Sequence, residues 1–272
     1  MDAARCTLDN AVYQAVRFAA LPPNELSKKR RFLVCPECNG PAFFRKASRS
    51  GQAACFGARP HEDGCTLAAS EYERNDTGLG DDQDILENPG QRIVIDFNFG
   101  AQPADKHNDP DESYNVGGRG GRFVGDGERP NAEMHRRLST ILRNLIMSEQ
   151  FRTSRQIIEI VGVGEFSVAD FFVHFSAVAP MHIGQYRGYW GMVADARFGQ
   201  TGALWLNSGG RDDMSICVAE PLVDELHQRF RIAEEEDLAG AYTLVFGTLR
   251  SSQAGKKYVQ AEDLGFITVR LT

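Results

Sequence analysis

Tyr189-Trp-Gly-Met-Val-Ala-Asp-Ala-Arg-Phe198, Ala203-Leu-Trp-Leu206 and Met214-Ser-Ile-Cys-Val-Ala219 are three apolar runs. Gly199-Gln-Thr-Gly202 and Asn207-Ser-Gly-Gly210 separate them with turn-forming residues, so each run reads as a strand. Further on, Val223, Leu226, His227 and Phe230 recur at helical spacing over residues 222–230. Residues 241–249 read as another strand, Ser251-Ser-Gln-Ala-Gly255 as a turn, and residues 257–260 and 266–271 as the closing strands.

Three strands, one helix, then two or three strands is the order of an OB-fold barrel. The expected fold class is therefore α+β and multidomain. It comprises a zinc-finger domain over 1–70, an acidic glycine-rich loop region with one strand over 71–130, a mainly helical middle region over 131–182, and a C-terminal OB-fold domain over 183–272. Barrels of this kind bind single strands by stacking bases on aromatic rings while cations follow the backbone. Trp190, Trp205 and Tyr258 are the candidate platforms, with Phe198 a further aromatic. Arg187, Arg250, Lys256 and Lys257 are the candidate phosphate contacts, together with Arg197. Tyr189-Trp-Gly-Met192, Leu204-Trp-Leu-Asn207 and Val245-Phe-Gly-Thr-Leu-Arg250 resemble single-stranded DNA-binding OB domains, which implies single-stranded DNA, or RNA, as the partner. The same fold can instead meet another protein as an adaptor. The last residues, Val269-Arg-Leu-Thr272, are not acidic, so recruitment of DNA-processing proteins through an acidic tail is not expected.

Upstream, Met134, Leu138, Ile141, Leu142, Leu145 and Ile146 form a helical stripe, with Arg136, Arg137 and Arg143 off it. Asn131 is the candidate N-cap and Glu133 lies in the first turn. Ser167-Val-Ala-Asp170 has the spacing of a capping box, so residues 167–178 read as a helix or a buried strand. Before this region the chain is rich in Gly, Asp, Asn and Pro. Residues 71–134 hold 15 acids against 6 bases, which accounts for the net charge of -7. Ile93, Val94, Ile95 and Phe97 mark one strand-like island, and the rest is expected to be mobile.

At the N-terminal end, residues 8–20 read as a helix with Val12, Ala15, Val16 and Ala19 on one face, ended by Pro22-Pro23. Lys28-Lys-Arg-Arg31 reads as a solvated turn or a phosphate contact. Cys35-Pro-Glu-Cys38 follows, and then Cys55, His61 and Cys65. Tetrahedral zinc needs four N or S ligands, and pairs two to four residues apart let one tight turn supply two of them. Cys35 with Cys38, and His61 with Cys65, make two such pairs. With four protein ligands the Zn2+ has no open position for water, so its role is structural. Cys55 is the spare thiol, buried or a substitute for His61, while Cys6 and Cys217 read as core residues.

Cys35-Pro-Glu-Cys38, Pro41-Ala-Phe-Phe-Arg45 and Cys55-Phe-Gly-Ala-Arg-Pro-His61 through to Cys65 resemble the zinc-finger segment of competence protein CoiA-like proteins. That family pairs the finger with a nuclease-like domain, so the resemblance implies DNA processing or a mobile-element setting. A metal-dependent nuclease would place catalysis at Glu133, Glu159 or Asp170. No Asp…Glu-x-Lys triple follows the long helix, so the expectation is a binding protein without catalysis. No apolar run reaches the roughly 18 residues of a membrane span. Residues 1–5 lack the apolar core of a secretion signal, so a cytoplasmic location is expected.

Overall fold

In the computed structural model the described residues are 1–48, 53–62, 64–68, 92–95, 133–136 and 138–271. They form a mixed α+β structure with far more sheet than helix. Most of the acidic segment 71–130, with its expected mobility, lies outside them. Among the described residues no helix is long and apolar enough to cross a membrane.

The first unit is a five-stranded sheet. β1 (Ala3–Cys6) and β2 (Val12–Gln14) pair as an antiparallel hairpin. Its turn places Asn10 at φ 56, a left-handed conformation that asparagine tolerates, and Asp9 Oδ1 accepts from the Ala11 N–H at 3.1 Å. This corrects the expected helix over 8–20. Strand pairing claims its first half and leaves only α1 (Ala15–Ala19). The apolar face is corrected too: Val12 and Val16 are 59% and 78% exposed, while Ala15 and Phe18 are buried. α2 (Pro23–Lys29) opens with proline, whose missing N–H costs nothing in a first turn. β3 (Leu33–Val34), β4 (Pro41–Arg45) and β5 (Cys55–Ala58) complete the order β2-β1-β3-β4-β5. Phe18, Phe44 and Phe56 fill the core, with ring centroids 4.9 to 5.3 Å apart.

The middle region sets its helices beside a four-stranded sheet that the mainly helical expectation did not include. β6 (Arg92–Ile95) runs parallel to β7 (Glu133–Arg136) on one side. The helical stripe therefore begins only at α3 (Leu138–Met147), with Ile141, Leu142 and Leu145 buried. Pairing across the sheet overrides the periodicity of residues 133–136, which fits either structure. α4 (Glu149–Arg152) leads to β8 (Ile157–Ile160), parallel to β6 on its other side, and β9 (Gly164–Ser167) closes the order β7-β6-β8-β9. Ser167 does cap a helix, its hydroxyl accepting from the Asp170 N–H. That helix, α5 (Val168–Phe171), lasts one turn before β10 (Phe172–His174).

The C-terminal strands fall close to their expected places with one correction. The run 189–198, expected as a single strand, is split at Val193 and Ala194 into β11 (Tyr186–Met192), which pairs with the later strand β15 (Tyr242–Ser251), and β12 (Asp195–Phe198), which pairs with β13 (Leu204–Asn207); β14 (Ser215–Val218) comes next. α6 (Glu220–Phe230) follows, then β15 (Tyr242–Ser251), β16 (Lys257–Ala261) and β17 (Ile267–Arg270). The sheet order is β10-β11-β15-β16-β14-β13-β12, with β17 also on β15. Alternation explains the double burial of β11 and β15. Tyr189, Val245 and Leu249 face a core shared with Leu204, Ile216, Leu226 and Val259. Trp190, Leu244 and Phe246 face Ile95, Leu142 and Phe171 of the middle region.

Arginines join the first unit to the last sheet. Arg30, 4% exposed, gives two hydrogen bonds to Glu236, at 2.6 and 3.1 Å, and one to the Phe44 carbonyl. Arg31 donates through Nε to Asp195 at 2.9 Å; Asp195 is fully buried and also takes Arg197 Nε at 2.6 Å. Arg45 reaches the Ala239 carbonyl at 2.9 Å. Half of the Lys28–Arg31 run thus serves packing between units, neither of the two roles expected from sequence.

Candidate functional site

The cysteine and histidine side chains converge at one end of the N-terminal sheet. β3 delivers the chain into a knuckle in which the Cys35 N–H donates to the Gly40 carbonyl at 2.8 Å and the Asn39 N–H to the Cys35 carbonyl at 3.0 Å. Asn39 takes φ 61 to make the turn. Gly40 is required by contact, since a Cβ there would lie 2.4 Å from the Pro60 carbonyl oxygen. This close approach brings the chain after β5, with His61 and Cys65, over the knuckle. Cys35 Sγ lies 3.8 Å from Cys65 Sγ, and Cys38 Sγ lies 3.4 Å from His61 Nδ1. All four ligand atoms fall within 4.8 Å of one another.

That arrangement can hold a metal ion. Tetrahedral bonds of about 2.3 Å to sulfur imply S···S edges of about 3.8 Å, with S···N edges slightly shorter. The observed spacings are consistent with zinc. Backbone N–H donation, first from Glu62 and then Gly40, with His61 adding to it, draws the Cys38 thiol down to about 6. Burial pushes its neighbour Cys65 up to about 11. A bound cation would stabilise all three thiolates together. Glu37, inside the knuckle, accepts from the Thr66 N–H at 3.0 Å and the Thr66 hydroxyl at 2.7 Å, tying the two ligand pairs together. Those bonds hold its carboxyl below the ordinary range. Cys55 is exposed and outside the cluster, correcting the buried-thiol expectation and leaving the histidine position to His61. Cys6 and Cys217 are core residues, their thiols raised by burial.

A second site lies on the C-terminal sheet. Trp205 on β13 and Tyr258 on β16 have ring centroids 5.6 Å apart. They line an open groove of about 600 Å³ with Thr201, Ala203, Cys217 and Pro221. Glu220, Ser252 and Gln260 supply further polar groups to its lining. Sequence reasoning named the two aromatics but missed Glu220 and Gln260, because only the pairing of β14 with β16 brings their segments together.

The other expected contacts are placed elsewhere or occupied. Trp190 is 7% exposed and packs against His174, with centroids 4.6 Å apart, so its face is closed to a ligand. Arg187 lies over the Phe166 ring at 5.8 Å, beside a separate cleft with Glu165, Asp170 and His182. Arg250 bonds Gln260 and Glu262 at 3.1 and 2.9 Å. Lys256 donates to the Gly210 and Asp213 carbonyls, and Lys257 to the Val178 carbonyl. Of the carboxylates a nuclease would use, Glu159 is held by Arg92 at 2.5 Å and Asp170 by Ser167 at 2.5 Å. Neither joins a ligand cluster among the described residues.

No protein-family model and no curated protein matches the chain. Among solved structures, a chain described as an aspartyl-tRNA synthetase from Leishmania major Friedlin is similar over 37% of this chain, at 13% identity and a TM-score of 0.27. This chain spans only 21% of the length of that one. An OBody bound to hen egg-white lysozyme is similar over 37% of this chain and 93% of its own, at 14% identity and a TM-score of 0.27. At these scores neither likeness says anything of the fold or function of this chain.

Proposed function

We propose that this protein binds single-stranded nucleic acid, with DNA as the expected strand, in the groove around Trp205 and Tyr258. We also propose that its Cys35, Cys38, His61 and Cys65 cluster holds a structural zinc. The carrying observation is the pair of adjacent, partly exposed aromatic rings on neighbouring parts of one sheet, since unpaired bases offer the π-faces that such rings stack on. An OB-type barrel is the reading of the C-terminal sheet. It is supported by the antiparallel β12-β13-β14 run, the parallel β14–β16 pair, and α6 between β14 and β15. β11 and β12 lie at distant positions in the sheet order yet are joined by only Val193 and Ala194, which favours a sheet curled on itself. The CoiA-like resemblance of residues 32–68 supports a setting in DNA processing.

A labelled single-stranded oligonucleotide should bind the full-length protein at low salt more tightly than a duplex of equal length. Trp205→Ala and Tyr258→Ala should each weaken binding by about 1–3 kcal/mol. Equal affinity for duplex and single strand, or no effect of either variant, would exclude the groove and favour an adaptor that meets protein.

A further inference from the structure

The groove around Trp205 carries one charge in its lining, and that charge is negative. Cations on the adjoining turns and on β15 are already engaged by the protein itself. Arg211 donates to the Ala254 carbonyl at 3.3 Å, Lys256 to the Gly210 and Asp213 carbonyls, and Arg250 to Gln260 and Glu262. A phosphate placed in the groove would meet the Glu220 carboxylate and no lining cation.

Glu220 is also held where a ligand would find it. It opens α6. Its side chain crosses the turn between β12 and β13 above Gly202, where a Cβ would lie 2.7 Å from Glu220 Cγ. Gly202 has φ +77, so the turn supplies both the bend and the space for the carboxylate. No hydrogen bond or ion pair engages Glu220 among the described residues, so both oxygens are free to accept.

Resting on the single-strand reading above, we propose that this groove selects an unpaired guanine, stacked at Trp205 and Tyr258 with its Watson–Crick edge on Glu220. Guanine alone among the four common bases presents two adjacent donors on that edge, N1–H and the N2 amino group, which match the two oxygens of a carboxylate. Adenine and cytosine set a ring-nitrogen acceptor beside their amino donor, and thymine flanks N3–H with two carbonyls. Each of those would turn a lone pair toward Glu220. Because recognition is by ring and edge, the salt dependence should be shallow for a nucleic-acid site.

The test uses full-length protein and labelled oligothymidine strands carrying one central dG, dA, dC or dI, read by anisotropy. The dG strand should bind about tenfold tighter than the unsubstituted strand, the scale of one good bidentate pair. The dI strand, lacking the N2 amino group, should fall between them. Glu220→Gln should reduce the dG preference to about twofold or less, because a carboxamide presents only one acceptor. Asp224→Asn, one turn further along the same helix, should keep it. Guanosine monophosphate as competitor separates the sources of the base: displacement near the Kd of the strand points to a free nucleotide, and displacement only at roughly a hundredfold higher concentration to a strand. Strands that all bind equally, or a dG preference that survives in Glu220→Gln, would overturn the guanine assignment while leaving single-strand binding in place. Failure of every strand to bind at low salt would remove both.

Discussion

Gly40, Glu37 and Lys256 show how single residues commit this chain. Gly40 is fixed by the Pro60 carbonyl, which occupies the space of a side chain, and Glu37 by its two bonds to Thr66. Groups that orient metal ligands tune affinity nearly as strongly as the ligands themselves. Glu37→Gln should therefore weaken metal retention about tenfold in a chelator competition, while metal analysis should find one equivalent of zinc in the wild type and none in Cys38→Ser. Full zinc in Cys38→Ser would move the site elsewhere. Lys256 makes a different prediction. Burial, with the Arg31 guanidinium adding to it, lowers its ammonium to about 8. In the unfolded chain it keeps its proton to about pH 10.4. Between those values the unfolded state binds more protons, so the contribution of Lys256 to stability rises with pH across that window and is a fixed penalty below it. Wild type should thus gain stability relative to Lys256→Met between about pH 7.5 and pH 9 in urea titrations. A constant gap would show that the ammonium titrates normally.

At the scale of elements, the strands of the C-terminal sheet were legible from alternation and turn residues. The start of α3 was not, because residues 133–136 satisfy a helical stripe and a strand equally well. The decisive partner, β6, lies some forty residues earlier across an acidic segment, and no local pattern announces it. The same holds for β2, where a hairpin with β1 outweighs a helical spacing of apolar residues that turn out to be exposed. β12 carries the sharpest energetic consequence. It sets Asp195, fully buried, between Arg31 of the first unit and Arg197 of its own strand. Removing one member of a buried ionic group leaves the others uncompensated, at a cost of about 3–5 kcal/mol. Asp195→Ala is expected to lower stability by about 3 kcal/mol, read as a shift in the urea midpoint at unchanged slope. A loss below about 0.5 kcal/mol would mean that water reaches the two guanidiniums and the clamp is only geometric.

For the whole molecule, the arginine clamp couples the unit that carries the Cys35, Cys38, His61 and Cys65 cluster to a sheet that holds none of those residues. Arg30 and Arg31 stand four or five residues before Cys35, and both grip the C-terminal unit. A structural zinc is folding free energy, so removing one bound at the cluster should loosen the turn between α2 and β3 that presents them. The chain has two tryptophans, Trp190 and Trp205, both on the C-terminal sheet, so tryptophan fluorescence reports on that sheet and its seam with the middle region, and neither ring lies in the N-terminal unit. Chelation should lower the thermal midpoint seen by this fluorescence, and Arg31→Met should remove most of that shift. A midpoint indifferent to chelator would show that the units unfold independently.

The sequence by itself determined the Cys35, Cys38, His61 and Cys65 grouping and most of the C-terminal run of strands, because each depends on local spacing. Two-residue gaps set a ligand knuckle, and alternation with turn glycines sets a strand. Only the tertiary structure decided that Trp190 faces inward, that Trp205 meets Tyr258, that the middle region carries a sheet beside its helices, and that Arg30 and Arg31 bind carboxylates of their own chain. It also brought Glu220 and Gln260 into the lining of one groove and left that lining without a cation. Those outcomes depend on which distant segments pair and which charges meet, and partners separated by tens or hundreds of residues leave no periodic trace in either stretch.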